Sequence, residues 1–359
     1  MKYSQRRQKA VKLLTELDLD VLIFCQPENI RYLCGFSGSD GVLLVTADHL
    51  VFLTDSRYTT QAHEEVAAER IIEYKLQIDG VIQQLRSLDV TRIGFEAGLA
   101  FGIVKELQTQ GDCRWQWLHF KDELHSLRLH KTTDEISAIA AAADLNVAAL
   151  ADIEAMIRPG VSEKNVALEL EFALRKLGAD EKAFDIIVAS GFRGAMPHGV
   201  ASDKILVEGE LVTIDFGCRL RGYHSDETVT YALGEVSAEL HTIFDTVLEA
   251  HDRALAAVSP GVALADLDRL ARDHITARGY GGYFGHGLGH GVGLEVHEAP
   301  TVSSRSTAIA EAGMVFTVEP GIYVPGVGGV RIEDMVLVTA AGHRTLTKIP
   351  KMFRNILLN

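Results

Sequence analysis

Over roughly the last 230 residues the chain runs through helix, helix and a group of strands twice, at about 100 residues per pass. Thr132-x-x-Glu135 reads as a capping box opening a long Ala-rich helix that stops at Arg158-Pro159-Gly160, and a second helix covers about 162–177. The strands IIVAS (186–190), LVTIDFG (211–217) and YHSDETVTYAL (223–233) follow. The second pass has helices over about 237–258 and 263–278, then VHEAPTV (296–302), MVFTVEP (314–320) and RIEDMVLVT (331–339). EGELVTIDFG (208–217) and EAGMVFTVEPG (311–321) correspond between passes, each an apolar strand that carries one carboxylate within its apolar run, Asp215 or Glu319, and ends in glycine. The repeat predicts an α+β domain with an internal pseudo-twofold duplication.

The first 125 residues follow another rule. Short apolar runs, VLIFC (21–25), GVLLV (41–45), VFL (51–53), IIEYKL (71–76) and RIGFE (92–96), alternate with helical periods and predict an α/β domain. The boundary falls near 126–131, so the expected domains are 1–128 and 129–359. With 47% hydrophobic and 23% charged residues, each can bury a core without disulfides. Cys25, Cys34, Cys113 and Cys218 show no CxxC spacing and read as reduced thiols, which predicts a cytoplasmic protein. The N-terminus continues as an amphipathic helix rather than an apolar signal core. The Ala-rich run 136–157 carries Asp144, Asp152 and Glu154 and is expected to fall short of a membrane span. The formal charge of −14 argues against a nucleic-acid partner. Acidity is concentrated beyond the boundary, with 14 basic against 18 acidic residues over 1–125 and 21 against 31 in the remainder.

That excess contains the chemistry. A carboxylate in an apolar strand is costly unless paired, hydrogen-bonded or bound to a cation. Asp215, Asp226, Glu319 and Glu333 all occupy such strands. One acid of this kind is most often structural. Four, brought together without a cation, would repel and raise one another's pKa. Alternation along a strand groups Asp226 with His224 and Thr228, and Glu333 with Arg331 and Met335, so Arg331 can orient a ligand or bind substrate. GYFGHGLGHGVGLEVHEAP (282–300) adds His286, His290 and His297 between glycines that allow close backbone approach. Alone, that stretch reads as a flexible loop, and His198 in AMPHG as a surface histidine. Beside the four acids they become site candidates.

These residues closely resemble the pita-bread metallopeptidases of the prolidase and aminopeptidase P branch. The matching strings are AMPHG (195–199), VTIDFG (212–217), YHSDETVT (223–230), GHGLGHGVGLEVHEAP (285–300), TVEPGIY (317–323) and VRIEDMVLVT (330–339). RYLCGFSGS (31–39) and TDSRYTTQA (54–62) match the branch's N-terminal domain more loosely. The resemblance implies a creatinase-type N-terminal domain before a catalytic pita-bread domain. Carried over by position, it implies Asp215, Asp226, His290, Glu319 and Glu333 as metal ligands. His290 is taken over His286 because the family's ligand stands seven positions before its catalytic histidine, here His297. The strand bearing Asp226 departs from the pattern at Val229, where the family usually has arginine.

Four carboxylates match the charge of two divalent ions, and the mixed oxygen and nitrogen set suits Mn²⁺ or Co²⁺, with Zn²⁺ or Fe²⁺ as the other options. The implied activity is hydrolysis of the bond between an N-terminal residue and proline, in dipeptides or short peptides. Glu319 would move the proton of the attacking water, and His198 and His297 would stabilise the developing oxyanion. His286, Arg331 and Tyr323 would contact substrate. The branch also implies a homodimer, a small peptide as partner, and no membrane. Two other enzymes share the fold: methionine aminopeptidases generally lack so long an N-terminal domain, and creatinase-like amidinohydrolases lack the ligands. A catalytically silent binding module is the reading from another class, and such proteins typically lose ligands and gain basic tails.

Overall fold

A computed structural model of the chain describes residues 2–357, in two compact units that divide between Arg128 and Leu129. The first unit is a mixed six-stranded sheet with six helices. Its strands are β1 (Val21–Phe24), β2 (Val42–Val45), β3 (Leu50–Thr54), β4 (Arg70–Glu73), β5 (Arg92–Glu96) and β6 (Gln116–Phe120), in the spatial order β4-β3-β2-β1-β5-β6. The helices are α1 (Lys2–Glu16), α2 (Pro27–Cys34), α3 (Thr59–Glu65), α4 (Gln77–Ser87), α5 (Phe101–Gln110) and α6 (Asp122–Leu129). β1, β2 and β3 are buried on both faces, which explains their unbroken apolar runs. The edge strand β6 is QWLHF, half exposed and without such a run, so sequence pattern alone did not find it.

The second unit opens as the capping box predicts. The Thr132 side chain accepts from Glu135 N while Glu135 reaches back to Thr132 N at 2.9 Å, which starts α7 (Thr133–Ile153). The Ser162 side chain caps α8 (Glu163–Lys176), and that of Ser237 caps α9 (Ala238–Ala256); α10 (Leu264–Ala277) follows. The first group of strands is β7 (Glu181–Lys182), β8 (Ile187–Ser190), β9 (Glu210–Phe216), β10 (Cys218–Leu220), β11 (Tyr223–His224) and β12 (Glu227–Leu233). The second is β13 (Gly289–Gly291), β14 (Glu298–Val302), β15 (Val315–Val318), β16 (Gly321–Val324), β17 (Gly328–Arg331), β18 (Asp334–Thr339) and β19 (Gly342–Thr345).

The duplication is visible in the packing. Val166, Leu170 and Leu174 of α8 share one apolar core with Val188, Val212 and Ile214. Ile243, Val247, Leu267 and Ala271 of α9 and α10 share another with Phe316, Val318 and Val336. At the centre of each half lies an antiparallel pair: β9 with β12, in which Asp215 faces Thr228, and β15 with β18, in which Val318 faces Asp334.

One expectation is overturned. Thr133–Met156 is 24 residues long and, by length and composition, apolar enough to cross a membrane. Of its five acids, Asp134 and Glu135 stand in the first turn and Asp152 and Glu154 at the C-terminal end, so only Asp144 interrupts the alanines and leucines between them. In the fold this segment is a core helix: Ala142, Ala149 and Leu150 pack into the α8 core, and Ile139 and Ala143 against Val292, Val315 and Met335.

Candidate metal centre

The four carboxylates converge, but the sequence placed three of them on the wrong kind of backbone. Asp215 sits inside β9, as predicted. Asp226 lies in the break between β11 and β12, Glu319 one residue past β15, and Glu333 between β17 and β18. At each break the chain changes partner: β11 pairs with β10 but β12 with β9, β15 with β13 and β18 but β16 with β17, and β17 with β16 but β18 with β15. At the last break Glu333 N donates to Thr228 O at 3.2 Å. The acids therefore stand where the strands exchange partners. Strict alternation fails there, so His224 turns to Gly293 O (3.2 Å) and Met335 into the apolar core, while Thr228 and Arg331 do reach the acids.

His290 comes from β13, inserted between β14 and β15. A Cβ on Gly289 would lie 2.0 Å from Thr317 O, and one on Gly291 2.2 Å from Ala299 O, so the Gly-His-Gly pattern is needed for this close approach. His290 Nδ1 lies 3.1 Å from Gly291 O, an atom that can only accept; Nδ1 carries the proton and Nε2 faces the acids. His290 Nε2 is 3.6 Å from Asp226 Oδ2 and 3.2 Å from Glu319 Oε1. Asp226, His290 and Glu333 offer ligand atoms that all lie within 4.8 Å of one another.

Around them runs a polar shell. Thr228 Oγ1 donates to Glu333 Oε2 (2.6 Å) and Thr317 Oγ1 to Glu319 Oε1 (3.0 Å). Buried Arg331 donates from Nη2 to Asp215 Oδ2 (2.5 Å) and from Nη1 to Tyr323 Oη (3.0 Å) and Pro197 O (3.1 Å). His286 Nδ1 faces Gly287 O at 2.8 Å, so Nε2 accepts from Tyr323 Oη at 2.9 Å. His297 packs its ring edge-on to His290, 4.1 Å between centroids, and His198 stands exposed at the rim. All ten residues predicted from the sequence line one cavity of about 480 Å³.

Its electrostatics are those of a site short of positive charge. Burial, then repulsion from Glu333, Asp215 and Glu319, holds Asp226 well above the carboxylate range. Burial, with Glu319 and Asp215, does the same for Glu333. Asp215 is raised by burial although Arg331 opposes the shift. Burial also pushes Glu319 up, but the hydrogen bond and charge of His290, with His286 and Arg331, outweigh it and hold Glu319 down at about 2. His297 is lowered by burial and then by His290, which leaves it neutral at pH 7.

Residues 137–340 match the description Metallopeptidase family M24. The chain belongs to this family. Residues 6–130 of this M24 metallopeptidase match the Creatinase/Prolidase N-terminal domain. It is 38% identical over 350 residues to the Xaa-Pro dipeptidase of Pyrococcus furiosus, covering 96% of this chain and 98% of that protein. An Xaa-Pro dipeptidase from Bacillus anthracis superposes with a TM-score of 0.95 at 42% identity, covering 98% and 99% of the two chains. An X-Pro aminopeptidase from Thermotoga maritima gives 0.89 at 36% identity, covering 97% and 99%. The second unit is thus the pita-bread fold of M24 and the first its creatinase-type companion.

The family binds divalent metal, and the residues present fit one. Among the described residues Asp215 Oδ1 is buried with no hydrogen-bond partner, and its three neighbouring acids leave a negative surplus that a cation would cancel. Val229, where the resemblance leads one to expect arginine, is buried with Val212 and Ile214 on the opposite face of β12 from Thr228. Sequence reasoning missed an apolar wall, Phe184, Ile187, Pro197 and Val200, and a polar one, Thr301, Ser303 and Arg305. Neither has a periodic signal, because both are assembled from loops and strand ends.

Proposed function

We propose that this M24 metallopeptidase is an exopeptidase that holds two divalent ions on Asp215, Asp226, His290, Glu319 and Glu333 and cleaves the Xaa-Pro bond, with dipeptides as its preferred substrates. The observation that carries the reading is the convergence of those five side chains in one cavity around the unsatisfied Asp215 Oδ1. Bound metal would supply Lewis acidity and bring the pKa of water from 15.7 to about 7. The oxygen-rich set with one imidazole favours Mn²⁺ or Co²⁺.

The side chains divide the remaining work. Glu319, ionised at neutral pH, takes the proton of the attacking water and passes it to the proline nitrogen as that nitrogen leaves. A bond to proline has no N–H, so the site cannot select its substrate through that donor. Neutral His297 donates to the developing oxyanion, with His198 approaching from the rim. Tyr323 and His286, tied through Arg331 to Asp215, line the substrate side.

The dipeptide preference rests on Arg305. Arg305 lines the cavity wall and has no carboxylate partner among the described residues, which suits its guanidinium to a substrate's C-terminal carboxylate. Mn²⁺-loaded protein is expected to cleave Ala-Pro faster than Ala-Pro-Ala, and equal or reversed rates would overturn the preference. His297→Ala is expected to lose about 10²–10³-fold in kcat with its metal retained. The same reading puts the enzyme in the cytoplasm, in keeping with four free thiols, and makes it a homodimer, testable by sedimentation equilibrium.

A further inference from the structure

One fully buried carboxylate near the cavity has no part in the mechanism. Glu163 is the first helical residue of α8, yet Ser162 already supplies that helix's cap through its side chain. Glu163 instead turns toward the loop 191–201, which carries His198. Its Oε1 accepts from Ser190 N at 2.8 Å and Ser190 Oγ at 2.9 Å, where the loop begins. Its Oε2 accepts from Ser202 N at 3.2 Å and Ser202 Oγ at 2.7 Å, where the loop ends. The same oxygen takes Arg193 Nη1, and Arg193 Nη2 donates to Val200 O at 3.0 Å across the loop's middle.

His198 needs this framework. Its imidazole makes no hydrogen bond among the described residues, so no side chain aims the ring and the loop backbone alone sets its position. On the cavity side the loop is also tied by Arg331 Nη1 to Pro197 O at 3.1 Å and by a backbone bridge between Val200 and Ile187. Lys204, the other cation nearby, is engaged by Glu210 at 2.6 Å and Ser190 Oγ at 2.8 Å, which leaves Arg193 to Glu163. Charge-assisted bonds of this kind are short and directional, suited to fixing a loop rather than merely covering it.

We propose that Glu163 and Arg193 are positioning residues that clamp the loop 191–201 and so hold His198 against the cavity. The proposal rests on the role given above to His198, and a double-mutant cycle on the full-length, Mn²⁺-loaded enzyme separates the two ideas. With Ala-Pro as substrate, Arg193→Met is expected to lower kcat about ten- to a hundredfold, the scale of a misplaced catalytic group, with KM and metal per chain close to wild type. Arg193→Lys should recover part of the loss, and Glu163→Gln should resemble Arg193→Met. Amide hydrogen exchange over 191–201 should quicken in Arg193→Met. In a His198→Ala background Arg193→Met should cost nothing further. A second loss of equal size there would overturn the clamp while sparing His198, and so would wild-type kcat in Arg193→Met alone. Wild-type kcat in His198→Ala would remove His198 from the mechanism, and the clamp's purpose with it. If Glu163→Gln fails to fold, the Arg193 variants carry the same test.

Discussion

Each unit buries acids at the end of a central strand, and the two treat them in opposite ways. Glu96 closes β5 in the first unit, where Cys25 N and Gln26 N donate to one oxygen at 2.7 and 2.8 Å and Asn29 Nδ2 to the other at 2.6 Å. These donors lie at the start of α2, an end that favours negative charge. In the second unit Asp226 and Glu333 face other acids, and Asp215 keeps one oxygen without a donor. Burial raises Glu96 as well, so burial by itself does not mark a functional acid. What does mark one is whether the surroundings supply donors or further negative charge.

The largest effect that can break this contrast comes from removing one of the repelling acids. Asp226→Asn should abolish stoichiometric divalent binding and cut turnover by orders of magnitude, yet raise the Tm of the metal-free chain, since the amide ends a like-charge contact. A lower metal-free Tm would show that Asp226 supports the fold as Glu96 does. Calorimetry with and without chelator measures both signs.

The next effect is a pH dependence. Asp226 and Glu333 have raised native pKa values, so their ionisation opposes folding. That penalty is absent below the ordinary carboxylate range near 4 and grows as pH rises through the raised values. A cation cancels it, and protons compete with the cation. The Tm gain on adding Mn²⁺ should therefore increase from about pH 5 to about pH 8. A gain that shrinks over this range would mean that the acids are not repelling one another.

The smallest effect sharpens the other side. Glu96→Gln keeps the shape but offers one carbonyl oxygen where two carboxylate oxygens accepted, so an NH₂ group must face Asn29 or the backbone of Cys25 and Gln26. The expected loss is about 1–3 kcal/mol of stability, read by denaturant unfolding, with metal binding unchanged. An unchanged midpoint would leave Glu96 without the structural role assigned to it.

Local signals proved dependable where local physics decides. The Thr132 capping box announced the start of α7 because a cap depends on a few consecutive residues, and the helices expected from about 162 and 237 begin there, capped by Ser162 and Ser237. Apolar runs announced β1, β2, β3 and β5 because burial on both faces leaves no polar positions. The same reasoning lost β6, whose edge position leaves it half exposed, and ran 223–233 through as one strand although it breaks at Ser225 and Asp226. Nothing local distinguishes a strand that continues from one that changes partner, since the partners on the two sides of the break, β10 for β11 and β9 for β12, are set by the fold and not by neighbouring residues.

For this protein, then, residue type and spacing alone established the duplicated α+β plan, the family resemblance and the side chains that gather in the cavity. Only tertiary structure decided which acids are surrounded by donors and which face further negative charge, that Arg305 stands at the cavity wall without a carboxylate partner among the described residues, and that Glu163 faces the His198 loop. The reason is physical: a helix cap or an apolar strand records its environment in neighbouring residues, whereas the charge state of a buried group depends on partners distant in sequence, such as Asp215 and Arg331.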